Sequence, residues 1–246
     1  KGRFLDQPDR IAVWGPASAG HAVRDHGFWP GQVTITGPPH FYPYKDSYRA
    51  PSLCLPYARH IVFAGTTVNY AADEVAIVNA LAKELERHQE TRDVAIFYRP
   101  HPRQKAERLA PLRQAARVIL DTRWKGGWSL DPADISWVKT ICQSALLTVS
   151  AFSTVFVESA LSGTPGIAIG FGDSAHGAGK ALDHAEYPHM AGVIGQPGIS
   201  LESTLAGLVT AVREAAAGRW PSREDRSALR GWALQIAAVD TDPRDK

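Results

Sequence analysis

The feature that most constrains this chain is a repeated alternation. Short, uninterrupted apolar runs are each followed by a stretch with helical periodicity, and Gly or Pro closes several of them. The runs are Ile11 to Trp14, Val33 to Thr36, His60 to Ala64, Val94 to Tyr98, Val118 to Leu120, Leu146 to Val149 and Gly166 to Ile169. Runs without polar alternation suit strands buried on both faces, which is the habit of parallel sheets. Helical periodicity covers 17–26, 72–88, 105–116, 133–144, 153–161, 201–217 and 222–238. The clearest of these is 72–88, where Val75, Val78, Leu81, Ala82 and Leu85 recur on one face. Asp73 and Glu74 suit the positive end of its dipole. The expected fold is therefore α/β, a parallel sheet with helices on both faces.

Composition removes several classes. With 44% hydrophobic and 21% charged residues over 246 positions, the chain is rich enough in apolar residues to fold. A net charge of +2 is low for a general nucleic-acid binder. No stretch approaches 18 uncharged apolar residues, so no transmembrane span is expected. Cys54 and Cys142 cannot form a disulfide framework and lack zinc-like neighbours, which reads as a reducing, cytoplasmic compartment. The chain begins Lys1-Gly2-Arg3, and its one methionine is Met190. A trimmed protein or part of a longer one is expected, without a signal peptide.

The segments divide as follows. Residues 1–45 hold a strand, a helix and a strand. Residues 46–59 are a connector, and 60–200 form a strand-rich domain. Residues 201–246 hold two closing helices. Residues 38–59 carry five prolines and five Tyr or Phe, so this joining stretch reads as ordered rather than flexible.

In parallel sheets ligands bind beyond the carboxyl ends of the strands. The loops to read therefore follow Ala64, Tyr98, Val149 and Ile169. The first holds Gly65-Thr66-Thr67, where glycine permits a close backbone approach. The second holds Arg99-Pro100-His101-Pro102, a basic pair stiffened by prolines. Arginine offers a fork for phosphate oxygens, and histidine can donate a hydrogen bond or carry a proton. The alternative is a rigid turn with a solvated Arg and a packed His.

The third loop holds Ser150, Ser153 and Thr154. Their position at a helix start makes a candidate anion site, with simple N-capping as the alternative. Glu158 lies in an otherwise apolar helix, so its carboxylate needs a partner such as a ribose diol or a backbone amide. The fourth loop, 170–189, mixes glycines with Asp173, His176, Asp183, His184, Glu186 and His189. Its spacing matches no metal motif and reads as a ligand-covering loop or surface polarity. Residues 99–125 carry eight Lys or Arg against Glu107 and Asp121, a basic flank for a phosphorylated or acidic partner or a solvated face.

Together these residues resemble a known family. A strand, Arg99-Pro-His-Pro102, then Ser153-Thr154, Glu158 and Gly163-Thr-Pro165 resemble the carboxyl-terminal, donor-binding domain of GT-B-fold glycosyltransferases. The closest look is to bacterial capsule and surface-polysaccharide transferases of the sialyl, Kdo and CDP-glycerol types. The resemblance runs from about residue 11 to 217. Residues 11–44 resemble the end of the amino-terminal domain of such enzymes.

The resemblance implies a Rossmann-like sheet and transfer of a sugar or sugar-like unit from a nucleotide-activated donor to a glycan or lipid-linked glycan. It implies that Arg99 and His101 neutralise the donor phosphates, and that His101 can protonate the leaving group. Ser150, Ser153 and Thr154 would hold the same phosphates, and Glu158 the ribose. Gly65, Thr66 and Thr67 would line the opposite side. No metal or further cofactor is implied, and CMP- or CDP-type donors are favoured over UDP.

Alternatives on the same fold are a sugar-nucleotide 2-epimerase and a non-catalytic nucleotide-sugar-binding module. The family's acceptor domain would lie before residue 11. A missing amino-terminal domain or a homodimer would complete the cleft, with Trp14, Trp29, Trp220 and Trp232 as candidate contacts. Peripheral association with the inner face of a membrane is compatible with this reading.

Overall fold

The computed structural model describes residues 8–45, 53–67, 74–123, 132–151, 153–171 and 192–239. Strands β1 (Ile11–Val13) and β2 (Val33–Ile35) pair in parallel, with Ile11 opposite Val33. Helix α1 (Pro16–His26) joins them, starting with Pro16 at its first position and ending at Gly27 in the left-handed conformation. A 3-10 segment, Pro39–Tyr44, leads away from this pair.

A second sheet of six parallel strands follows. Its members are β3 (Arg59–Ala64), β4 (Val94–Arg99), β5 (Val118–Leu120), β6 (Thr148–Ser150), β7 (Gly166–Ile169) and β8 (Ile199–Glu202). Their order across the sheet is β5-β4-β3-β6-β7-β8. The first three strands run outward one way and the last three the other way, which is the doubly wound order. The expected α/β fold is what the structure shows. The helices are α2 (Glu74–Glu86), α3 (Pro132–Gln143), α4 (Val155–Leu161), α5 (Leu205–Ala216) and α6 (Arg223–Ile236).

Alternate residues of each strand feed opposite faces. Ile61, Phe63, Ile96, Tyr98, Ile167 and Ile169 pack with α2 and α5 in one core cluster. Val62, Ala64 and Phe97 pack with Ile141 and Cys142 of α3 on the other side. The 3-10 segment docks onto this second side, where Phe41 and Tyr44 cluster with Phe156, Ala160, Leu229 and Ala233. Trp14 and Trp29 are exposed, whereas Trp220 and Trp232 lie against the cores.

Two expectations need correction. Residues 106–114 form 3-10 turns rather than an α-helix, and Pro111 inside them has no N–H to give to an α-helical ladder. Residue 201 belongs to strand β8, and α5 starts only at Leu205, where Thr204 accepts from the Gly207 amide at 3.0 Å.

Candidate functional site

The sheet reverses its winding between β3 and β6. The crevice of such a sheet opens beyond the carboxyl ends of those strands, after Ala64 and Ser150. The neighbouring loop is drawn in by register, since Ala64 lies opposite Arg99 and the Gly65 amide donates to the Arg99 carbonyl at 2.8 Å. The loops that start at Gly65, Pro100 and Ala151 therefore stand side by side.

Gly65 leaves no room for a side chain. A Cβ there would lie 2.9 Å from the His101 amide nitrogen and 3.1 Å from the Tyr98 hydroxyl. Behind it sits Glu74, only 3% exposed. Its carboxylate accepts from the Thr66 amide at 2.7 Å, from the Thr66 hydroxyl at 3.2 Å and from the Tyr98 hydroxyl. Burial nevertheless raises its pKa above the ordinary carboxylate range. Thr66 is thus buried and committed to Glu74, while Thr67 keeps partial exposure. Glu74 and Tyr98 were not singled out from the sequence as site residues. A first-turn acid and a strand-end tyrosine carry no local sign that they meet.

Arg99 is turned into the protein. Its guanidinium bonds Asp121 at 2.5 Å and Asp134 at 2.7 Å, joining β4, the end of β5 and α3. Asp121 also accepts from the Trp137 indole at 3.1 Å and the Arg123 amide at 3.0 Å. The expectation that Arg99 offers its fork to phosphate is corrected to this extent, because both terminal nitrogens already face carboxylates. His101 lies at the loop surface, partly exposed, and its Nδ1 accepts from the Arg103 amide at 3.1 Å. Burial and the Arg103 charge lower its pKa, so the ring is neutral at pH 7. With Nδ1 accepting, the proton of the neutral ring is assigned to Nε2, which is then a hydrogen-bond donor.

On the β6 side, Ser150 is fully buried and its hydroxyl donates to the Ala64 carbonyl at 2.8 Å. It fastens the two strand ends, which corrects its expected contact with ligand. Ser153 is partly exposed and accepts from the Val155 amide at 3.3 Å, and Thr154 is exposed. The Phe156 and Val157 amides bond the Ser153 and Thr154 carbonyls at 3.2 and 2.9 Å. The amides of Val155, Phe156 and Val157, the first three of α4, are therefore already used within its own turn, unlike the free N–H groups expected there. What this loop offers instead is hydroxyl groups.

Glu158 accepts from the Tyr44 hydroxyl at 2.8 Å, across 114 residues of sequence. The residue is partly exposed, and desolvation lifts its pKa to about 7, against the opposing pull of Tyr44 and Arg99. The loop 172–191, with its histidines and carboxylates, lies outside the described residues. Among the described residues no group of three potential metal ligands gathers, and no helix is long and apolar enough to cross a membrane. Arg103, Lys105, Arg108 and Arg113 are exposed, so part of the basic flank is on the surface.

No protein-family profile matches the chain, and no curated protein matches it. Solved structures do. The wall teichoic acid polymerase TagF aligns with a TM-score of 0.59 at 14% identity, over 95% of this chain and 55% of its own. A Listeria monocytogenes protein assigned as a UDP-N-acetylglucosamine 2-epimerase gives 0.58 and 14%, over 94% of this chain and 56% of its own. A glycosyltransferase from Rickettsia africae gives 0.50 and 12%, over 96% and 61%. The chain spans little more than half the length of these proteins. At such identities the likeness establishes the fold, and this chain has the α/β fold of glycosyltransferases and of a sugar-nucleotide epimerase.

Proposed function

We propose that this chain is the donor-binding half of a glycosyltransferase, one that takes a sugar or sugar-like unit from a nucleotide-activated donor. The observation that supports this reading is the reversal between β3 and β6, because the Gly65, His101 and Ser153 loops follow the carboxyl ends of β3, β4 and β6, where a sheet of this order binds its ligands. His101, through Nε2–H, is assigned to the departing phosphate. A bound phosphate would favour the imidazolium form. The ring then takes a second proton from solvent at Nδ1, gives up the Arg103 amide bond, passes its Nε2 proton to the leaving oxygen and ends neutral. The Ser153 and Thr154 hydroxyls are assigned to the same phosphates, with Gly65 and Thr67 on the opposite wall and Glu158 at the ribose. Arg99 acts from behind, as the counter-charge that Glu158 feels and as the brace of the β4 end. Charge neutralisation in this reading comes from side chains rather than from a metal ion. CMP- or CDP-type donors are favoured, with a surface glycan or lipid-linked glycan as acceptor.

One observation favours a second reading. The epimerase aligns as well as the polymerase does, and an epimerase would act on the donor with no acceptor. A thermal-shift screen with CMP, CDP, UDP and GDP tests the donor site itself. Ligand at 100 times its dissociation constant stabilises by about 2.7 kcal/mol, a shift of several degrees. We expect one nucleotide to raise the Tm of the parent and to lose most of that effect in His101→Ala. No shift with any of the four would overturn the reading.

A further inference from the structure

We propose that Tyr44 is a positioning residue that sets Glu158 for the ribose, so that nucleotide recognition depends on the segment leading out of the β1–β2 pair. The proposal rests on the donor-site reading above.

The geometry is specific. A carboxylate has two oxygens, each able to accept two hydrogen bonds. Glu158 presents Oε2 to the Tyr44 hydroxyl at 2.8 Å. In this proposal Oε1 and the spare lone pairs are assigned to the 2′- and 3′-hydroxyls of a ribose. A glutamate side chain has three rotatable bonds, so an unheld carboxylate samples many orientations and must be ordered on binding. Tyr44 supplies that order in advance.

Tyr44 is itself fixed from several directions. It is 2% exposed, and its ring packs against Phe41 at 5.4 Å between centroids. The Lys139 ammonium stands 6.0 Å over the ring and bonds the Pro43 carbonyl, with the Lys45 carbonyl at 3.5 Å. Lys139 is 6% exposed on α3. A buried lysine whose partners include the carbonyls on either side of one tyrosine is an anchor for that tyrosine. The residues around the carboxyl group, Tyr44, Arg99 and Asp134, come from three elements. The orientation of Glu158 is thus set by the docked segment and not by α4 alone.

The test is calorimetric titration of the full chain. The probes are CDP, UDP and GDP, together with the 2′,3′-dideoxy analogue of whichever binds most tightly. The parent is expected to prefer the ribonucleotide over its dideoxy form. Tyr44→Phe is expected to lose about ten-fold in affinity for the ribonucleotide, the size of one hydrogen bond to a charged group. It should leave dideoxynucleotide affinity unchanged. Glu158→Gln should narrow the same ratio, and the double variant should add no further loss. Lys139→Gln keeps the hydroxyl and loosens its anchor, so it should narrow the ratio in part.

If Tyr44→Phe weakens both nucleotides equally, or neither, the positioning role is overturned while donor binding stands. If the parent binds no nucleotide, the donor-site reading falls and this proposal falls with it.

Discussion

Glu158 shows how a single carboxyl group can make the stability of the fold depend on pH. Its pKa in the folded protein is pushed up to about 7 from an ordinary value of 4.5, mainly by desolvation. Below about pH 4.5 the group is neutral in both states and contributes nothing. Between 4.5 and 7 the unfolded chain gives up the proton and the folded protein keeps it, so stability falls as pH rises. Above 7 the penalty is constant, on the order of 3 kcal/mol. Glu158→Gln removes the titration and keeps an oxygen for Tyr44 to bond. The difference in unfolding free energy between variant and parent is therefore expected to grow in the variant's favour from pH 5 to pH 8. Urea denaturation at the two pH values measures it, and a difference independent of pH would show that the group is not held neutral. The same substitution is expected to weaken ribose binding, so the residue trades stability for a ligand contact.

Among the elements, the strand ends opposite the crevice are clamped independently of the site. Arg59 opens β3 and bonds Asp93 at 2.8 Å, the Glu90 carbonyl at 2.7 Å and the Ala216 carbonyl at 2.6 Å. One guanidinium thus ties β3 to the loop before β4 and to the end of α5. Arg59→Ala is expected to cost about 1–3 kcal/mol, because it strips the charged partner from two carbonyls and a carboxylate. The loss should appear in urea denaturation with nucleotide affinity unchanged, since these groups lie at the far end of the strands. The strands that build this frame were legible because buried parallel strands are continuous apolar runs. Strand β8 was not. Its sequence, Ile199-Ser-Leu-Glu202, is mixed in polarity, as suits an edge strand, and it abuts a helix whose period blurs the boundary. The site was legible as strand-end loops and illegible as partnerships. Arg99 meets acids 22 and 35 residues away, Glu74 meets Tyr98 across 24, and Glu158 meets Tyr44 across 114. No local period or motif links such pairs. Only the fold brings them together, and it is the fold that turned Arg99 inward and used up the first amides of α4.

At the scale of the whole molecule, α6 holds the two sheets together. Leu229 and Ala233 on one side of it enter the core formed by α4 and the docked segment. Its carboxyl end meets the β1–β2 pair, where the Ala238 amide donates to the Trp14 carbonyl at 2.8 Å. Gly15 is the point of closest approach. A Cβ there would lie 2.6 Å from the Ile236 carbonyl oxygen and 2.7 Å from that of Gln235. Both obstacles are backbone, so no side chain can swing aside to make room. Gly15 has φ near −165°, an extended conformation that any residue adopts. The constraint is therefore contact alone, and Gly15→Ala isolates it. The substitution is expected to push the end of α6 off the β1–β2 pair at a cost of about 1–3 kcal/mol. Hydrogen exchange should locate the damage in residues 8–37 and 234–239, while the amides of β3, β4 and β6 keep their protection. Loss of protection throughout the six-stranded sheet would mean instead that the two sheets form one cooperative unit. Because Tyr44 lies on the segment between them, the two outcomes also differ for binding. Local loosening leaves the Tyr44–Glu158 contact and nucleotide affinity in place, and global loosening removes both.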